Sequence, residues 1–352
     1  MDQVTVRGVY TQEANAEAER ILSSKTNIFT IMGKNNRSIN KDAIQTAHAF
    51  TKMISESKPN KSLDQRFYLK SRFIQKQEEI DRILNIKESD ITKSLLLSLF
   101  AHTPEGEPPF QPWDTFKLPV NNLFNKSEEL TTIGRYLFNK FVYYNMLPLI
   151  GYVNETVTGK TLEKYDEIIN NAVFLDKLST DIYIDYLDRL YWFCLAPTAF
   201  ITTSLSYDVF VPLDKVMSRK EELIAEHSES ISKGDAFVVS KIEKELLDLS
   251  KDELSGHASM DNFDNGVGKF GNAYKNMSIM RGTIADLAHP GQYNVATESY
   301  IEGFSKTNFP YFVNMNINGA YSKAVGTRVG GLTSFRLTLI NLFNCWNNFI
   351  IC

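Results

Sequence analysis

Residues 214–254, DKVMSRKEELIAEHSESISKGDAFVVSKIEKELLDLSKDEL, decide how this chain is read. Val216, Leu223 and Ile231 recur at helical spacing before Gly234, and Ile242, Leu246 and Leu249 recur after it, with Glu and Lys filling the other positions. Only SKGD separates the two patterns, so 214–231 and 236–254 are predicted to be helices folded antiparallel, an apolar seam between them. The hairpin's many carboxylates then read as a solvated face and not as a catalytic pair.

Outward from the hairpin the chain stays mainly helical, with minor β. Residues 11–24 and 40–56 are predicted as helices, the second with Asn40 as its N-cap and Ile44, Ala47, Phe50 and Ile54 on one face. The pattern remains helical from Leu63 to Phe100, with Phe67, Ile74, Ile80, Ile83 and Leu84 to one side. Five prolines in TPEGEPPFQPWDTFKLP make about 102–120 an extended connector. The run from Leu130 to Phe200 is dense in Tyr, Phe and Leu and is predicted to be the best-buried lobe.

The chain has 352 residues, 43% hydrophobic and 23% charged, which suits a folded, multi-lobed protein and excludes global disorder. A net charge of −4 excludes a protein that coats nucleic acid by bulk charge, so any such contact is local. Cys194, Cys345 and Cys352 form no CxxC pair, which argues against a disulfide framework or a thiolate zinc site. The N-terminus lacks the pattern of a signal peptide, and the apolar tail 337–352, with four asparagines, is too short and polar for a membrane anchor.

Candidate chemistry from residues alone is sparse. Gly266-Val-Gly-Lys-Phe-Gly271 matches GxGxxG, but it follows a helical hairpin instead of a strand, which speaks against a dinucleotide fold. His48, His102, His227, His257 and His289 show no chelating spacing and are read as surface or loop residues.

The order of short blocks carries more. SLSYDVFVPLDKV leads into the hairpin; Asp264-Asn-Gly-Val-Gly-Lys269 and Met280-Arg-Gly282 follow; then come Ser299-Tyr-Ile-Glu-Gly303, Phe309, Gly319, Ala324-Val325, Thr327, Gly331 and Arg336-Leu337. Upstream stand Thr131-Thr-Ile-Gly-Arg135 and, at the start, Asp2-Gln3 with TQEANAEAERILSSKTNI. Five blocks in this order resemble the largest (beta-prime) subunit of multisubunit DNA-directed RNA polymerases, in the C-terminal part of a split, bacteriophage-type subunit. The matched patterns are the run leaving the DFDGDQ loop, TTVGR, the funnel hairpin after a sheet-like stretch, DSGARG with MRG, and the bridge helix from SYxxGL to SGYxxRRL.

The resemblance implies seven segments: 1–56 after the catalytic loop; 57–130, lineage-specific and helical with the Pro-rich connector; 131–205, the pore region; 206–256, the funnel helical hairpin; 257–298, the loop lining the pore through which nucleotides arrive; 299–337, the bridge helix region; and 338–352, a non-matching tail. It implies a nucleotidyltransferase subunit, inactive alone, with Arg281, Lys269 and Asp264 on the nucleotide path and Thr327, Gly331 and Arg336 of the bridge helix nearest the nucleic acid. Arg281 would back that helix, and Arg336 would suit a backbone phosphate.

The implied Mg2+ would be held by three aspartates on a partner chain, the N-terminal half of the subunit. Asp2 aligns with the last of the three, a remnant of the loop, and forms no complete site. Other implied partners are beta-subunit chains, an initiation factor, template DNA and RNA, in the cytoplasm of an infected bacterial host. Departures are Gly268 in place of the family's arginine, with Lys269 one position on, Met315-Asn-Ile-Asn-Gly319 for GARKG, and Ser322-Lys323 for Asp-Thr. The match stops at Leu337, and an open reading frame running into an intron or a frameshift is the expected reason. Without the resemblance the residues equally suit a helical scaffold with no catalytic role.

Overall fold

The computed structural model describes residues 10–22, 27–30, 35–36, 39–54, 61, 63–101, 109–119, 129–199, 201, 205–265, 270–286, 289 and 291–337. The protein is mainly helical, and its named strands form two separate two-stranded antiparallel sheets. It divides into two compact units, residues 1–206 with 254–269, and 207–253 with 270–352.

In the first unit the helices begin where a short polar side chain satisfies the first free N–H groups. Asn40 accepts from Asp42 N–H ahead of Lys41–Thr51, Thr132 from Arg135 ahead of Ile133–Phe141, Thr158 from Thr161 ahead of Gly159–Phe174, and Ser179 from Asp181 ahead of Thr180–Leu195. Their apolar faces meet in one core, where Phe50, Phe138 and Phe193 pack edge to face with centroids 5.0–5.5 Å apart. The lobe expected at 130–200 is thus the centre of this unit.

Strand Thr115–Leu118 pairs antiparallel with Glu129–Thr132, Thr115 opposite Thr132 and Leu118 opposite Glu129. The first of these strands lies within the stretch read as an extended connector at about 102–120; Phe116 and Leu118 alternate inward, and burying them selects the strand. Residues 63–100 are also less helical than expected. Helices Gln77–Leu84 and Lys93–Phe100 form, but 68–76 runs extended, with Tyr68 bridged to His257 and Phe73 to Thr115.

Gly134, inside the TTIGR block, has a steric cause. A Cβ there would lie 1.9 Å from the Phe50 carbonyl oxygen, and Gly134 N–H donates to Pro112 O at 2.7 Å. Arg135, next in line, is buried and donates to Thr51 O, Asn154 O and Thr156 Oγ1 at 2.8–2.9 Å, tying two loops to the helix. Burial pushes its guanidinium pKa down, and the nearby Tyr152, Glu155 and Glu129 oppose that.

In the second unit the predicted hairpin forms from Asp214–Glu226, Ser228–Ser232 and Ala236–Glu253. Val216, Leu223, Ile242 and Leu246 fill the seam as expected, joined by Val239, while Ile231 and Leu249 are half-buried. Lys215–Glu253 and Arg219–Glu245 pairs across the helices occupy its solvated face. The approach to it is a 3-10 turn, Tyr207–Phe210, in place of the sheet-like stretch. Residues 282–296, read as loop, contain strands Gly282–Ala285 and Tyr293–Ala296.

Candidate functional site

The site grows from a turn and a clasp in the second unit. A π-helical turn, Lys275–Ile279, carries the chain into Met280, Arg281 and Gly282. Gly282 has φ +77°, and a Cβ there would sit 1.7 Å from Glu243 Oε1, which pairs with Lys275 at 2.8 Å. The glycine of Met280-Arg-Gly282 is therefore favoured by backbone shape, and a side chain there would also displace the Glu243 carboxylate from Lys275.

Arg281 N–H donates to Glu298 O at 2.8 Å, and its guanidinium lies against Met315, Nη2 to Sδ 2.7 Å. Its Nε is buried with no hydrogen-bond acceptor. Arg281 thus touches the helix that contains Met315, through the Met315 sulfur.

Residues 299–303 form the clasp. Ser299 N–H donates to Glu302 Oε2 at 2.7 Å, and Glu302 N–H returns to Ser299 Oγ at 3.2 Å. Lys220, from the first helix of the hairpin, donates to both Glu302 oxygens at 2.9 and 2.7 Å and to Ile279 O at 2.8 Å. Burial would raise the Glu302 carboxyl, but Lys220 and Ser299 outweigh it and hold the group below the usual carboxylate range.

Beyond the clasp, Phe304 and Phe312 stack at 4.4 Å with Tyr300 on their edge, and Asn308 donates to the Glu298 carboxylate at 2.9 Å. A helix then runs Phe309–Tyr321, passes through a π-helical segment, Ser322–Gly326, and resumes over 327–337. It starts ten residues after the predicted segment boundary at 299, because 299–308 is spent on the clasp and the aromatic turn.

From 316 to 337 every residue whose burial is described is exposed. Ile317, Tyr321, Val329, Leu332 and Phe335 are each at least half exposed. The 309–337 stretch has no Asp or Glu and carries Lys323, Arg328 and Arg336, in a chain whose net charge is −4. At 1.5 Å per residue it is about 43 Å long.

Thr327, Gly331 and Arg336 all lie on this exposed rod, and among the described residues nothing lies within 4 Å of where a Cβ on Gly319, Gly326, Gly330 or Gly331 would be. Asp264 closes the short helix Asp261–Asp264 in the first unit, beside a cavity of about 390 Å³ that His48, Lys52, Thr158 and His257 also line. Asp264 and Arg281 thus belong to different units. Asp2, Lys269 and the tail 338–352 fall outside the described residues.

Two expectations about histidine are corrected. His48 and His257 are 4% and 2% exposed, not surface residues; His257 Nδ1 accepts from Ser259 N–H, and its ring meets Tyr68 edge on at 5.3 Å. Ahead of Gly266 the described residues form the helix Asp261–Asp264 and not a strand, so the GxGxxG match lacks the context of a dinucleotide fold.

Among the described residues no group of three or more His, Cys, Asp or Glu could hold a metal ion, and no helix is long and apolar enough to cross a membrane. Sequence reasoning missed Lys220, although its place between Val216 and Leu223 on the seam face marks a lysine directed inward. No known protein family matches this sequence, and no curated protein matches it.

Proposed function

We propose that this chain is part of a DNA-directed RNA polymerase, a segment of a split, bacteriophage-type beta-prime subunit that supplies the secondary channel and the bridge helix. The observation that carries the reading is the acid-free helix 309–337, exposed from residue 316 onward and set on a base made by the hairpin and the Met280-Arg-Gly282 turn. A helix with apolar residues around it and no core to bury them is half of an interface. Three cations and no acid suit a partner rich in phosphate.

In this reading the reaction joins a ribonucleotide to an RNA 3′ end: the 3′ hydroxyl oxygen attacks the α-phosphorus of a nucleoside triphosphate and pyrophosphate leaves. Mg2+ held by the aspartates of the partner half would help the hydroxyl lose its proton and offset charge on the leaving pyrophosphate. This chain's residues position. Arg336 pairs with a backbone phosphate, Thr327 lies toward the template, and Gly330 with Gly331 lets nucleic acid approach the helix backbone closely. Those glycines cost the helix about 1 kcal/mol each relative to alanine, a cost that close approach explains.

The complete enzyme contains the N-terminal half, beta-subunit chains and an initiation factor on template DNA, in the cytoplasm of an infected bacterium, and this chain alone is inactive. Affinity purification through a tag on this chain, from the cells that encode it, tests the assembly. Recovery of a chain bearing a DFDGD-type aspartate loop is expected; its absence would leave a helical scaffold as the better reading.

A further inference from the structure

We propose that the Lys220–Glu302 pair makes the helical hairpin the handle that sets the direction of the projecting helix. Lys220 is 4% exposed, and all three of its ammonium hydrogens have acceptors: Ile279 O and the two Glu302 oxygens. One hairpin side chain therefore holds both the end of the π-helical turn and the clasp from which the helix departs. The pair is buried on the lysine side and partly open to solvent on the glutamate side, and such a pair contributes geometry more dependably than stability.

The clasp transmits that hold. Ser299 and Glu302 bond each other reciprocally, and Gly303 at φ +80° turns the chain toward Phe309. Packing ends soon afterwards. Among the described contacts, Phe312 and Met315 are the last that meet the base through their side chains, at Phe304 and Arg281 respectively. Residues 316–337 then form a cantilever about 33 Å long, so tilting the base by about 5° moves the tip by about 3 Å. Whatever shifts Lys220 is amplified at the far end, and a partner gripping the hairpin acts on the helix without touching it. This inference concerns the second unit's geometry alone and does not need the polymerase reading.

The test is an interspin distance in the full chain. Nitroxides are placed at Ser228→Cys and Ser334→Cys with Cys345 and Cys352 changed to Ser; Cys194 is buried and unreactive. Distances are measured by pulsed electron resonance on frozen samples of folded protein. Lys220→Met is expected to shift or broaden the distribution by about 3 Å. Leu246→Ala, which weakens the same seam but leaves both Lys220 and Glu302 in place, should leave it within about 1 Å of the parent. A Lys220→Met distribution that superimposes on the parent, or an equal broadening by Leu246→Ala, would overturn the proposal. Should Lys220→Met lose cooperative folding, Glu302→Gln keeps the shape, removes the charge and carries the same test, with about half the effect expected.

Discussion

Gly134→Ala should be among the most damaging single-methyl additions in the first unit. The new Cβ would lie 1.9 Å from Phe50 O and 3.0 Å from Pro112 O, both backbone atoms, where ordinary contact begins at 3.4 Å. Relief requires the helix Ile133–Phe141 to withdraw by more than 1 Å from Lys41–Thr51. Phe50 is fully buried against Phe100 and Phe193, so that withdrawal opens the aromatic core and lengthens the 2.7 Å hydrogen bond from Gly134 to Pro112.

Overpacking costs about 1–3 kcal/mol when side chains can give way; with backbone on both sides we expect about 3 kcal/mol. For a unit of this size that lowers the melting temperature by about 6–12 °C. Gly151→Ala is the comparison. Gly151 has φ +70° and ψ −171°, a conformation essentially confined to glycine, with no described atom within 4 Å of its Cβ position, so backbone strain of about 1–3 kcal/mol applies without any clash. Urea unfolding followed by circular dichroism measures both. If Gly134→Ala lay within about 0.5 kcal/mol of the parent, the close approach of the two helices would be wrong.

Arg135→Met should destabilise the first unit by about 3 kcal/mol, because Thr51 O and Asn154 O lose a charged donor; Arg135→Lys should recover less than half, checked by the same urea titration. Acid should release the clasp. Glu302 titrates below its ordinary value when folded, so its contribution is full above about pH 4.3 and is lost as pH falls through the lower folded value. Asp114 and Asp166, held up by burial, act oppositely: their contribution is full in acid and is lost as pH rises through their raised values. The stability difference between the parent and Glu302→Gln therefore isolates the clasp. It should be flat from pH 7 to about 5 and shrink below.

The hairpin was legible because a seam at helical spacing, interrupted once at Gly234, admits few other folds, and Gly234 itself meets Tyr293 O 2.1 Å from where its Cβ would be. Asn40 was legible as a cap for a local reason: its side chain bonds two residues on. The two β-hairpins were not. Four-residue strands carry too little alternation to stand out, and the first lies among prolines. Burial of His48 and His257 depends on neighbours far along the chain, such as Tyr68 for His257, which periodicity does not reveal.

Of the site, Gly282 takes a positive φ and 316–337 is exposed, features that follow from three-dimensional neighbours more than from periodicity. The clasp escaped because Ser299-Tyr-Ile-Glu302 has the form of a capping box and yet caps no helix; its glutamate faces a lysine 82 residues away. Asp2 and Lys269 lie outside the described residues.

Template-dependent RNA synthesis tests the central claim most directly. The assembly recovered through a tag on this chain is given a DNA template, four ribonucleoside triphosphates and Mg2+, and compared with the same assembly carrying Gly331→Pro, which breaks the exposed helix where none of the described residues packs on it. The account predicts RNA from the parent assembly and loss of nearly all of it from the proline variant, with the same chains recovered. An assembly that makes no templated RNA, or one indifferent to the proline, would contradict it.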